Sequence, residues 1–190
     1  TSVGTITATD NDATAVLQSF TITGGNTNNA FALNAATGEL TVNNSVELDR
    51  EVRASFTLTV TVSDGTNTSA SESVTINLND VNEFTPAVDS GQTFAINENL
   101  PNATSIGILT GSDSDATGVL QNWMITGGNI DNAFAINAAS GELRVNNTVA
   151  LDREVRASFP LTVTVSDAPH LSAPDPLPIP PPCPNQPPHA

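Results

Sequence analysis

A chain of 190 residues has room for one large domain or for two modules of about 100 residues each. Its 20 Asp and Glu against 5 Lys and Arg give a formal charge of -15, with no lysine at all, a surface that repels phosphate backbones and anionic lipid and so excludes nucleic acid as a partner. No apolar run reaches the roughly 18 residues that a membrane span needs, and cations, metal ions above all, are the partners this charge favours.

The chain opens at Thr1 without an initiator Met, which leads to the expectation of a processed or truncated product. From there the pattern has period two and is bounded by turn signals, with no sustained helical period. Strands are expected at 3–9, 18–23, 31–34, 38–43, 55–63 and 71–79. Phe56, Leu58, Val60 and Val62 alternate with Thr57, Thr59, Thr61 and Ser63, so one face is buried and one is wet. Gly24-Gly25-Asn26, Ala36-Thr37-Gly38 and Asp64-Gly65 mark the turns between strands.

The same pattern then returns. Gly4 recurs as Gly107, Asp10 as Asp113, Phe31 as Phe134, Leu48 as Leu151 and Asp64 as Asp167, a constant offset of 103 (107 minus 4) without insertion or deletion. Strands of the second copy are expected at 93–97, 105–111, 121–126, 134–137, 141–146 and 158–166. The first copy has no counterpart of the strand around Phe94–Asn97. After Asp167 the sequence turns into Pro169, Pro174, Pro176, Pro178 and Pro180, and a residue without an N–H cannot serve an interior strand. Each copy is therefore expected to lack one edge strand, and the tail to be extended. The expected architecture is all-β, two tandem Greek-key sandwiches over residues 1–83 and 84–168, with a proline-rich tail over 169–190. Trp123, which replaces Phe20 in the repeat, is expected in the core.

Acidic residues gather at the strand ends. They are Asp10 and Asp12, Asp49 and Glu51, Asp64, Asp80 and Glu83, Glu98, Asp113 and Asp115, Asp152 and Glu154, and Asp167. Packed like charges are unfavourable unless a cation neutralises them, and a hard ion such as Ca²⁺ takes six to eight or so oxygen ligands in irregular geometry. Zinc is disfavoured, because both histidines and the single cysteine, Cys183, lie in the tail without ligand spacing. The lone cysteine forms no intrachain disulfide and leaves the redox compartment open. A solvated turn with local ion pairs competes with the metal reading for any one of these clusters, and four of the five arginines, Arg50, Arg53, Arg153 and Arg156, are expected to pair with nearby carboxylates.

The run Phe31-Ala-Leu-Asn-Ala-Ala-Thr-Gly38-Glu-Leu40, then Leu48-Asp-Arg-Glu51, then Phe56 to Asp64, resembles a cadherin repeat. Leu78-Asn-Asp80-Val-Asn82-Glu83-Phe-Thr-Pro86 and Ala95-Ile-Asn-Glu98 continue the likeness, which covers all but the last twenty or so residues; the Thr- and Asn-rich strands are similar in flavour to bacterial cadherin-like modules. The resemblance implies calcium at the boundary between repeats, with Asp49, Glu51, Asp80, Asn82, Glu83, Asp113, Asp115 and Asp167 at the central junction. It further implies an N-terminal half-site at Asp10, Asp12 and Asp64 and a C-terminal half-site at Glu98, Asp152 and Glu154. The linker reads Asp-Val-Asn-Glu where the fuller family form ends in Asp-Asn, so fewer ions than the family's three are expected.

The function this implies is a calcium-stiffened extracellular or cell-surface adhesion protein. Its partners would be calcium and other such modules, or copies of itself, arranged head to tail. Two alternatives follow: a filament subunit that completes its half-sites or donates a strand, and a carbohydrate-binding module. Glycan binding is weakened by an aromatic content of only 4% with no Tyr. No Ser/His/Asp set or phosphate loop lies on the modules, so no enzyme activity is expected. Asn43, Asn67, Asn102 and Asn146 open Asn-x-Ser/Thr sequons, relevant in a glycosylating host.

Overall fold

Strand alternation translates directly into burial. In the computed structural model, which describes residues 1–11 and 18–180, Phe56, Leu58 and Val60 are buried while Ser55 and Thr57 face out. The chain divides into two units, Thr1–Val81 and Asn82–Ala190. Asp12 and Cys183 lie outside the described residues.

The first unit contains β1 (Ser2–Thr5), β2 (Gln18–Gly24), β3 (Phe31–Leu33), β4 (Glu39–Val42), β5 (Ser55–Ser63) and β6 (Glu72–Asn77). They form two antiparallel sheets, ordered β1-β4-β3 and β2-β5-β6. The core between them is built on Phe31, Leu40, Phe56 and Leu58, with the Phe31 and Phe56 rings edge to face at 5.0 Å. The Arg53 guanidinium lies 5.0 Å above the Phe56 ring, so this arginine closes the core instead of serving only as a surface charge. Gly25 sits at φ +76, where a Cβ would run into the Thr57 carbonyl, so only glycine fits this turn.

The second unit repeats the plan. It contains β7 (Ala87–Val88), β8 (Ser105–Ile108), β9 (Gly111–Ser112), β10 (Gln121–Gly127), β11 (Phe134–Ile136), β12 (Glu142–Val145), β13 (Phe159–Ser166) and β14 (Asp175–Ile179). Its sheets are ordered β8-β12-β11 and β10-β13-β14, with β7 paired to β9. Phe134 and Phe159 repeat the ring pair at 4.9 Å, Arg156 repeats the cap while also meeting Asp131 at 3.3 Å, and Trp123 is buried as expected.

Two expectations are corrected. The second copy does not lack its last strand: β14 pairs antiparallel with β13, Phe159 opposite Ile179 and Leu161 opposite Leu177. In the first copy Phe56 faces Ile76 and Leu58 faces Val74, so the register is carried over at the same offset. The prolines are tolerated because of parity. Leu78 N–H donates to Ala54 O at 2.9 Å, which places the ladder bonds of the first copy on the even residues and those of the second on Phe159, Leu161, Leu177 and Ile179. Pro176 and Pro178 fall between them, with their nitrogens turned outward at a sheet edge, where no N–H is needed.

Residues 93–97 do not form the expected strand. Ile96 is buried and Phe94 half-buried, so the alternation was a true sign of burial. Just before this segment the Gln92 side chain stands in for a strand neighbour at Thr110: its Oε1 accepts from Thr110 N–H and its Nε2 donates to Thr110 O, both at 2.9 Å. Strand pairing occurs instead at Ala87–Val88.

Candidate metal centre

The second unit brings Asp113, Asp115 and Asp167 together, each offering a carboxylate oxygen within 4.8 Å of the others. Asp113 and Asp115 lie just beyond β9, and Asp167 follows the end of β13. Asp115 is 5% exposed and Asp167 3%. One oxygen of each carboxylate is spent locally. Asp113 Oδ1 accepts from Asp115 N–H at 2.9 Å, Asp115 Oδ2 from Phe84 N–H at 2.8 Å, and Asp167 Oδ1 from His170 N–H at 2.9 Å. The other oxygens, Asp113 Oδ2, Asp115 Oδ1 and Asp167 Oδ2, are buried and receive no hydrogen bond.

Such an arrangement is short of positive charge. Carboxylate oxygens within 4.8 Å of one another repel by about 3 kcal/mol or more per pair at an effective dielectric constant near 20, and buried acceptors without donors add a desolvation penalty. An ion with hard-oxygen preference and no strict geometry relieves both, so the donor set fits Ca²⁺ chemistry.

Asn82 and His170 frame the cluster. Asn82 Nδ2 donates to Asp167 O at 3.3 Å, and Asn82 Oδ1 lies 3.2 Å from His170 Nδ1. His170 Nδ1 is also 3.5 Å from Asp167 Oδ2. Burial pushes the Asp167 carboxyl up, but the His170 N–H and the Asn82 and His170 side chains outweigh it, and the net displacement is downward.

His170 is not among the residues expected here, because the prolines that surround it point to an extended tail. It stands where Asn67 stands in the first copy. Asp64 N–H donates to Asn67 O at 3.3 Å and Asp167 N–H to His170 O at 3.2 Å, the same turn built twice. The surviving signal is Ser172-Ala173, which repeats Ser69-Ala70 at the offset of 103.

The remaining candidates fall into smaller groups. In the first unit Glu51 and Asp80 are half-buried and bring carboxylate oxygens within 4.8 Å of each other. Asp49 Oδ1 accepts from Val52 N–H at 2.9 Å, fixing the turn that presents Glu51. Asp64 Oδ1 accepts from Thr66 and Asn67 N–H at 2.7 and 2.6 Å, bonds that hold its pKa below the usual value, the Asn67 N–H contributing most. Asp10 and Glu83 are exposed. In the second unit Asp152 Oδ1 accepts from Glu154 and Val155 N–H at 2.9 and 3.2 Å, and Glu98 Oε2 accepts from Arg153 N–H at 3.4 Å. Among the described residues these last three acidic groups make no three-carboxylate cluster.

Residues 1–79 and 92–179 each match the cadherin domain family model. The chain is 39% identical to mouse Protocadherin Fat 4 over 170 residues, covering 86% of this chain and 3% of that protein. It is 34% identical to mouse Cadherin EGF LAG seven-pass G-type receptor 2, covering 88% and 6%, and 32% identical to the Drosophila melanogaster Protocadherin-like wing polarity protein stan, covering 92% and 5%. The chain thus spans only a small fraction of the length of these relatives. Among solved structures it is similar to chicken VE-cadherin EC1-2, with a TM-score of 0.76 at 22% identity over 94% of this chain and 89% of that one. The human Desmocollin-1 ectodomain gives a TM-score of 0.71 at 23% identity, over 95% and 38%. These two likenesses are likenesses of fold.

Proposed function

The chain belongs to the cadherin domain family, and from that premise we propose that it is a calcium-binding segment of an extracellular or cell-surface adhesion protein. The observation that carries the calcium assignment is the convergence of buried carboxylate oxygens from Asp113, Asp115 and Asp167, those of Asp113 and Asp115 without a donor and that of Asp167 with only His170 Nδ1 at 3.5 Å. When bound, the ion supplies the positive charge that these carboxylates lack. Asp115 N–H holds Asp113, Phe84 N–H holds Asp115 and the turn at His170 holds Asp167, so the free oxygens are aimed before the ion arrives.

The resemblance assigns further ligands to Asp49, Glu51, Asp80, Asn82 and Glu83, and terminal half-sites to Asp10, Asp12 and Asp64 and to Glu98, Asp152 and Glu154. Asn82 is the weakest of these as a side-chain ligand, since both ends of its carboxamide are engaged. Extracellular modules bind calcium at roughly 0.1–1 mM, an affinity suited to occupancy outside cells. Isothermal titration of the intact chain with calcium tests the assignment. Asp113→Ala with Asp115→Ala is expected to abolish the strongest binding step, and unchanged affinity would refute the site.

A further inference from the structure

A glycine stands against one of the carboxylates of the candidate ion site. Gly118 is half-buried in the loop between β9 and β10, the loop that also carries Asp113 and Asp115. A Cβ on Gly118 would lie 3.0 Å from Asp113 Cγ and 3.3 Å from each Asp113 oxygen. Carbon atoms in ordinary contact are about 3.5–4.0 Å apart, so the two groups would have to separate by roughly half an ångström. The backbone gives no other reason for a glycine here. Gly128 and Gly141 sit in the left-handed region at φ 71 and 70, where a Cβ is disfavoured, and Gly118 does not. An alanine would suit its chain conformation, and the first copy carries one: the counterpart of Gly118 at the offset of 103 is Ala15. What the missing side chain secures is the place of the Asp113 carboxylate.

We propose that Gly118 is a positioning residue of the calcium site: its missing side chain lets the loop close on Asp113 and keeps that carboxylate within bonding reach of the ion. The inference rests on the calcium reading above and names a residue, itself no ligand through a side chain, that raises the affinity of the site. Asp113 Oδ1 accepts from Asp115 N–H at 2.9 Å, and Oδ2, the oxygen left for the ion, is buried. Calcium–oxygen distances span only about 2.3–2.6 Å, so a displacement of roughly half an ångström exceeds the whole tolerance of the bond. Moving Oδ2 away from the ion lengthens that contact. Moving it toward Asp115 and Asp167, whose oxygens already lie within 4.8 Å, raises the repulsion that the ion must offset. Either displacement weakens binding. Stability without the ion responds differently, because no bond length is then at stake and alanine leaves the unfolded chain less conformational freedom to lose than glycine does.

The test compares the intact ¹⁵N-labelled chain with its Gly118→Ala variant. Calcium titration is followed at the amides of Asp115 and His170, which donate to Asp113 and Asp167 and so report this site. The variant is expected to bind calcium about five- to tenfold more weakly than the parent. In chelator its Asp115 amide resonance should already be displaced, because the acceptor has moved, while the His170 amide stays in place. The thermal transition in chelator, read from the emission of the buried Trp123 of the same unit, should stay level or rise. A glycine needed only for the fold would instead lower that transition and leave the calcium affinity unchanged. A lowered transition, an unchanged affinity or an unmoved Asp115 amide each overturns the role of Gly118 and leaves the calcium reading standing. A parent chain whose two amides do not respond to calcium overturns the calcium reading itself, and this proposal with it.

Discussion

Asn26 and Asn129 each clamp one backbone residue from both sides. Asn26 Nδ2 donates to Phe31 O at 2.8 Å while its Oδ1 accepts from Phe31 N–H at 3.0 Å, and Asn129 treats Phe134 the same way at 2.8 and 2.9 Å. The clamp anchors the phenylalanine of each ring pair and substitutes for a strand neighbour. Asn26→Ala is expected to destabilise the first unit by about 1–3 kcal/mol, because Phe31 loses both partners in a half-buried place, read from urea unfolding by far-UV circular dichroism. Asp64 acts through charge. Its pKa is lowered on folding, chiefly by the Asn67 and Thr66 N–H groups, so its stabilising contribution is complete above the unfolded value near 3.8 and vanishes as pH falls through the lower folded value. Asp64→Asn should therefore weaken the first unit at neutral pH and flatten its stability profile in that acid window; a parallel profile for variant and parent would contradict the assignment. Neither clamp nor turn bond announced itself in the sequence. A lone Asn before a strand has no period, whereas the acidic residues were legible because like charges at strand ends are improbable without a role.

At the scale of elements, the period-two runs were readable and their ladders were not. Strand β5 was expected at the limits it has, 55–63, since four apolar residues alternate without a break. Strand β14 is masked in the sequence by prolines, which ordinarily break strands, although Leu177 and Ile179 keep the alternation and the offset of Val74 and Ile76. Residues 93–97 show the opposite error: the alternation marks burial, and no ladder forms there. Parity makes a sharp prediction. Pro176→Thr with Pro178→Thr should leave the stability of the second unit within about 1 kcal/mol, as neither nitrogen faces β13. Leu177→Asp should unfold it, because a charge would enter a site less than 2% exposed. Thermal melts of the two variants separate these outcomes, and equal damage from both would show the parity argument to be wrong.

For the molecule as a whole, Trp123 is the only tryptophan and is buried in the second unit. Its emission therefore follows that unit alone, while circular dichroism follows both. If Asp113, Asp115 and Asp167 hold calcium, 10 mM or so of the ion should stabilise the second unit by about 1.4–2.7 kcal/mol for the affinity expected of extracellular modules. The tryptophan transition should then rise by several degrees, and should not move in the Asp113→Ala, Asp115→Ala variant. Duplication also sets what each sheet offers to strangers. Along the outer rim of β14, Pro176 and Pro178 stand where N–H groups would otherwise point outward, so that rim has no donors with which to recruit another strand. The matching rim of β6 carries Ser73 and Thr75 with their amides intact. Edge-to-edge aggregation on heating or crowding should accordingly begin at the first unit's β6, with the second unit's proline rim acting as a built-in stop to fibril growth.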